Sequence, residues 1–160
     1  MTTPDKSRGT SDESRRVADQ SPAIPPCPRG HEHGCPAIRI MTMPRDTNAQ
    51  GTIFGGVIMS YIDQAGAIEA RKYTRHRIVT VAIDGVEFHQ PVYVGDVLSY
   101  YTQLIRTGRT SITVRVTVEA ERNVDPNLVV PVTSATLTYV AIDAQAQPTP
   151  FDQPAPNSPL

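Results

Sequence analysis

GGVIMSYIDQAGAIEARKY, residues 55–73, runs into TRHRIVTVAIDGVEFHQP, residues 74–91, and the period of the chain changes between them. The first stretch reads as a helix of about five turns at 3.6 residues per turn. Its first half is apolar on nearly every side, so it is expected to be buried. It becomes charged near Glu69, Arg71 and Lys72, where it is expected to emerge. Arg71 and Lys72 also suit the negative end of the helix dipole. After Arg77 the period drops to two. Residues 77–91 are β-branched and aromatic-rich, with a break at Asp84-Gly85 that suggests a bulge.

Working outward, residues 38–43 (AIRIMT) make a plausible first strand, and PRDTNAQGT (44–52) is rich in turn formers. Beyond the Val94-Gly95-Asp96 turn, residues 97–106 form a strand. In 111–122, Ile112, Val114, Val116, Val118 and Ala120 alternate with Thr113, Arg115, Thr117, Glu119 and Glu121. That alternation puts one face in and one face out. Thr107-Gly108-Arg109-Thr110 links these two strands. A polar NVDPN precedes a last strand at about 131–143. One strand, one helix, then four strands with short links predict an α+β fold. The expected form is an antiparallel meander curled around a central helix. Edge strands of such a sheet invite pairing, so a dimer with a continuous sheet is expected.

The whole chain has 160 residues, a net charge of −1, 39% hydrophobic and 19% charged residues. One domain fits that length. The balanced charge argues against a nucleic-acid surface, which must be basic. No run of 18 apolar residues suggests a membrane span. The first 20 residues lack the apolar segment of a secretory signal, so a cytoplasmic location is expected. Eleven of the 15 prolines lie in 1–37 or 144–160, while eight of the nine aromatics lie between. Residues 1–37 and 144–160 are therefore expected to be disordered tails around a folded unit at 38–143.

Asp63 is the most informative residue. It sits mid-helix among Ile58, Met59, Tyr61, Ile62, Ala65, Ala67 and Ile68. A carboxylate is rarely buried without a partner. Its same-face neighbours include Ser60, Gly66 and Ala67, which leave room beside it. Two readings stand: a structural carboxylate bonded to a neighbouring strand or subunit, or a catalytic base. Gly55-Gly56 opens the helix, and free N–H groups there can stabilise a developing oxyanion. Gly56 and Asp63 lie about 10 Å apart along the axis at 1.5 Å per residue. One chain cannot readily place both around one carbonyl. A site shared by two chains resolves this.

Arg45-Asp46-Thr47-Asn48-Ala49-Gln50-Gly51, Ile53-Phe54-Gly55-Gly56 and Met59 to Asp63 together resemble the hotdog-fold acyl-CoA thioesterases. The similarity is greatest to the YciA-type bacterial branch and its mammalian acyl-CoA hydrolase relatives. It continues through Val79-Thr80-Val81-Ala82, Phe88-x-x-Pro91-Val92, Val94-Gly95-Asp96 and Gly108-Arg109-Thr110-Ser111, covering 38–143 and neither tail. The resemblance implies a hotdog fold and hydrolysis of an acyl-CoA thioester to free acid and CoA. It implies Asp63 as general base or nucleophile, Asn48 as a group positioning water or substrate across the dimer interface, and the Gly56 N–H as oxyanion donor. It also implies contacts of Gly108, Arg109, Thr110 and Ser111 with the CoA nucleotide and phosphates, and of the Val81 and Ala82 backbone with the pantetheine arm. Hexamers built as trimers of dimers are the assembly it suggests. No metal or cofactor is expected, since a thioester has a good leaving group and CoA is part of the substrate. Thr52 and Phe54 depart from residues common in relatives, Asp or Asn at the first and His at the second.

Cys27, His31, His33 and Cys35 cluster in CPRGHEHGC, but their spacing matches no standard zinc site, and no metal is expected. His76 and His89 have no Ser or Cys partner at motif spacing. Among Arg71, Arg75, Arg77, Arg106 and Arg109, Arg109 is the favoured CoA phosphate contact. Two rival functions remain at this level. One is a hotdog dehydratase, which would use a histidine that this helix lacks. The other is a non-catalytic acyl-CoA-binding protein, which would have no need of Asp63 and Asn48.

Overall fold

The structure is a computed structural model that describes residues 34–151. Residues 1–33 and 152–160, including Cys27, His31 and His33, lie outside the described residues. The chain begins with β1 (Ile38–Met41) and a short 3-10 turn (Pro44–Asp46). The single long helix α1 (Gly55–Ala70) follows and tightens into a 3-10 turn at Arg71–Tyr73. Four strands complete the fold: β2 (Arg77–Phe88), β3 (Val97–Thr107), β4 (Ser111–Arg122) and β5 (Asp125–Ile142).

All five strands form one antiparallel sheet in the order β1-β3-β4-β5-β2. The expected meander is therefore only partly present. β3, β4 and β5 are sequential hairpins, but β2 pairs with β5 and not with β3. The loop 89–96 carries the chain across the end of the sheet, from one edge region to the other. Its crossing is pinned by backbone bonds from His89 N–H to Val132 O, Ile53 N–H to Val92 O and Thr42 N–H to Asp96 O. Asp96 anchors it further, accepting from Tyr93 N–H, Asn123 N–H and the Arg122 guanidinium, which also donates to Pro91 O. A short loop would have forced β2 beside β3; eight residues so anchored do not.

The core is the contact between α1 and one face of β3, β4 and β5. Ile58, Ile62, Ala65 and Ala70 pack against the inward row Ile112, Val114, Val116, Val118 and Ala120, all of them buried as the alternation predicts. The helix is not buried all round, however. Met59, Ser60, Gln64 and Ile68 face outward. Glu69, expected to emerge, is 8% exposed. It accepts from Lys72 Nζ at 2.6 Å, Thr102 Oγ1 at 3.0 Å and Tyr73 OH at 3.3 Å. Burial raises its carboxyl pKa, but the bonds from Lys72 and Thr102 outweigh that, leaving it below the usual carboxylate value.

The last strand starts at Asp125 and not near 131, because the polar turn pairs Arg122 with Asp125 and prolongs the hairpin beyond the core. Bulges interrupt β2 between Thr80 and Ala82 and between Asp84 and Glu87, the second where Asp84-Gly85 suggested one. Ordered bonding continues past the expected boundary at 143. Thr149 N–H donates to Ala141 O, Phe151 N–H donates to Arg109 O, and Phe151 packs on the core.

Candidate functional site

Asp63 lies on the third turn of α1, half-buried, where the helix meets edge strand β2. Thr80 Oγ1 donates to its Oδ1 at 2.7 Å. Tyr139 of β5 donates to the Asp63 main-chain oxygen at 2.8 Å and reaches Oδ1 at 3.4 Å. Both bonds hold one oxygen and the turn beneath it. No described residue bonds Oδ2. The Tyr139 phenol is pushed well above its usual pKa, first by burial and then by the adjacent Asp63 charge, so it stays protonated and donates.

Gly66 makes this approach possible. A Cβ on it would stand 2.2 Å from the Tyr139 hydroxyl. The room expected beside the carboxylate is thus filled by a tyrosine from β5, one turn further along the helix. Sequence reasoning missed both Tyr139 and Thr80 as site residues. The one signal was a glycine in a helix interior, where it is disfavoured by about 1 kcal/mol against alanine.

Gly56 sits at the second position of α1, whose start has no side-chain cap. Its N–H has no hydrogen-bond partner among the described residues. The Phe54 ring lies over it, within 2.5 Å of where a Gly56 Cβ would be. Beside it, a cavity of about 310 Å³ opens between the helix start and the crossing loop, lined in part by Thr52, Gly55, Phe88 and His89. Asp63 is not among its lining residues, which agrees with the separation expected along the helix axis.

Asn48 is occupied within its own loop. Its Oδ1 accepts from the N–H groups of Gln50 and Thr52 at 2.9 and 3.2 Å, and its Nδ2 donates to Thr52 Oγ1 at 2.9 Å. This closes the turn that delivers Ile53 and Phe54 to the helix start. Within one chain no hydrogen bond joins Asn48 to Asp63 among the described residues.

Val81 is the extra residue of the first β2 bulge and 55% exposed; Ala82 follows it, opposite Thr138. Gly108, Arg109, Thr110 and Ser111 form the β3–β4 hairpin, closed by Gly108 N–H to Ser111 O at 2.7 Å. Arg109 is exposed, and its carbonyl receives the returning Phe151. One chain therefore places Asp63, Thr80 and Tyr139 together, while Asn48, Gly56 and the hairpin stand apart. Cys35 is exposed, and no group of three or more metal-ligating side chains occurs among the described residues. No helix among them is long and apolar enough to cross a membrane.

Residues 50–126 match the model of the thioesterase superfamily. The chain is 41% identical to an uncharacterised acyl-CoA thioester hydrolase of Zymomonas mobilis, over 84% of this chain and 87% of that protein. It is 38% identical to the acyl-CoA thioester hydrolase YciA of Escherichia coli, over 69% of this chain and 86% of that one. Its structure is similar to that of a hexameric hotdog-fold thioesterase of Campylobacter jejuni. The TM-score is 0.71 at 43% identity, over 76% of this chain and 93% of that chain.

Proposed function

The chain belongs to the hotdog thioesterase superfamily, and we propose that it hydrolyses acyl-CoA thioesters, with Asp63 as the base that activates water. The observation that carries this reading is the fixed Asp63 carboxylate, with Oδ1 held by Thr80 and Oδ2 open. In the step proposed, Oδ2 takes a proton from water as the water oxygen attacks the thioester carbonyl. The tetrahedral oxyanion is met by a helix-start N–H, that of the partner's Gly56. Collapse breaks the carbon–sulfur bond, and the departing CoA thiolate takes the proton back from Asp63, leaving CoA thiol, the free acid and an ionised carboxylate. Thiolate leaves readily, so the reading requires no metal or cofactor, and turnover is expected to survive exhaustive dialysis against a chelator.

A second copy is part of this reading. β2 is an edge of the sheet, and Val79, Val81 and Ile83 stand 40%, 55% and 37% exposed along it. An apolar unpaired edge next to the carboxylate supports a dimer seam there. Higher assembly into a hexamer accords with the C. jejuni relative.

The test is thiol release from acyl-CoAs running from acetyl to palmitoyl, for wild type and Asp63→Asn. Turnover in wild type with a loss of about 100-fold or more in the variant is expected, the scale of a missing general base. Binding of acyl-CoA without turnover by wild type would sink the catalytic reading.

A further inference from the structure

The crossing loop 89–96 meets the start of α1, and the cavity of about 310 Å³ lies between them. Its lining changes character from floor to rim. Ile53, Ile58 and Val92 are buried and form an apolar floor. Thr52, His89 and Gln90 bring hydrogen-bonding side chains to the rest, and no acid is among the lining residues. His89 and Gln90 are exposed, and their side chains make no hydrogen bond or ion pair with any described residue. Thr52 Oγ1 accepts from Asn48 Nδ2 at 2.9 Å, which leaves its own proton to donate.

The wall that carries these donors is held in place. His89 N–H donates to Val132 O at 2.9 Å, Pro91 O accepts from Arg122 at 2.8 Å, and Val92 O accepts from Ile53 N–H at 2.8 Å. The Phe88 ring closes against the helix start, where a Cβ on Gly55 would stand 3.3 Å from it. Donors on so anchored a stretch are placed before a ligand arrives, which is what a selective contact requires.

We propose that this cavity selects short acyl groups that end in a carboxylate, with His89 and Gln90 as the residues that receive it. The inference rests on the thioesterase reading, which puts the thioester carbonyl at the Gly56 N–H, one residue from the cavity wall at Gly55. The floor is closed by buried side chains, so the cavity takes the end of a chain, and the CoA arm leaves outward. At roughly 30 Å³ per heavy atom, the share of one water in the liquid, the space holds about ten heavy atoms. A succinyl or glutaryl chain beyond its thioester carbon fits that space, and a palmitoyl chain does not. A wholly apolar acyl chain strips water from Thr52, His89 and Gln90 and gives them no partner in return. A carboxylate accepts from them through charge-assisted bonds, and no acid in the lining repels it.

The experiment measures kcat/KM for succinyl-CoA and butyryl-CoA, acyl groups of equal chain length, in wild type, His89→Leu and Gln90→Leu. Thr52 is left intact because Asn48 bonds to it. Wild type is expected to favour succinyl-CoA. Each variant is expected to lower the succinyl-to-butyryl ratio about tenfold, the effect of one hydrogen bond to a charged group. His89→Asn, which keeps a donor, is expected to recover part of that ratio. A general loss of fold lowers both values alike, so the ratio reads selectivity alone. A wild type that favours butyryl-CoA, or a ratio unchanged in both variants, overturns the proposal and leaves the thioesterase reading intact. Should wild type hydrolyse neither these nor any longer acyl-CoA, the thioesterase reading fails instead. Calorimetric titration with succinate then decides the carboxylate site: binding weakened by His89→Leu upholds it, and binding absent from wild type or unchanged in the variant overturns it.

Discussion

Thr80 Oγ1 donates to Asp63 Oδ1 at 2.7 Å, across the seam between β2 and α1. The bond fixes the rotamer of the carboxylate and leaves Oδ2 to face the water it would deprotonate. In the mechanism proposed above, Thr80 is a positioning residue. Thr80→Val keeps the shape and removes the donor. We expect kcat to fall about tenfold with KM little changed, the scale of one hydrogen bond to a charged group. Thr80→Ser should recover most of the loss, which a merely structural role at this exposed position does not predict.

Gly66 and Tyr139 form the other support. A methyl group at Gly66 collides with the Tyr139 hydroxyl, which must leave Asp63. Gly66→Ala is expected to destabilise the fold by about 1–3 kcal/mol despite the better helix propensity of alanine. Tyr139→Phe removes the clashing atom, so the double variant should be more stable than the two single effects summed. Additive effects in denaturant unfolding would show that the two residues do not act as a unit.

The crossing loop depends on a buried ion pair. Arg122 Nη1 donates to Asp96 Oδ2 at 2.8 Å, with the two side chains 11% and 3% exposed. Asp96→Ala strands that guanidinium and also frees the Tyr93 and Asn123 N–H groups. A loss of about 3–5 kcal/mol is expected in chemical unfolding. A loss below about 1 kcal/mol would mean that the loop is held elsewhere.

Glu69 makes stability depend on pH. Its folded carboxyl titrates below the usual carboxylate range, because the bonds from Lys72 and Thr102 outweigh the effect of burial. The unfolded chain therefore takes up this proton first, and the stabilisation is present above that range and lost as pH falls through the folded value. Glu69→Gln should lower Tm at pH 7, with the gap to wild type closing as pH falls below the usual carboxylate range and through the lowered folded value. A gap independent of pH would assign the effect to packing.

Much of this was legible in the sequence. The helix from Gly55, the alternation of 111–122 and the half-buried place of Asp63 on the helix all follow from residues close together in the chain. Periodicity and the rarity of a carboxylate in an apolar helix are local signals. The separation of Gly56 from Asp63 was legible too, because helical rise alone sets it.

What only the tertiary structure decided is non-local. Sequence adjacency put β2 beside β3, but the anchored crossing loop placed it on β5. The partners of Asp63 come from 17 and 76 residues away, Thr80 and Tyr139. Glu69 looked like a surface charge until Thr102, 33 residues on, was brought against it. In each case the chain's local pattern specifies which face a side chain takes, while strand pairing specifies what that face meets. The amino-acid sequence determined the elements and placed a carboxylate in mid-helix; the register of the sheet determined what holds that carboxylate in place.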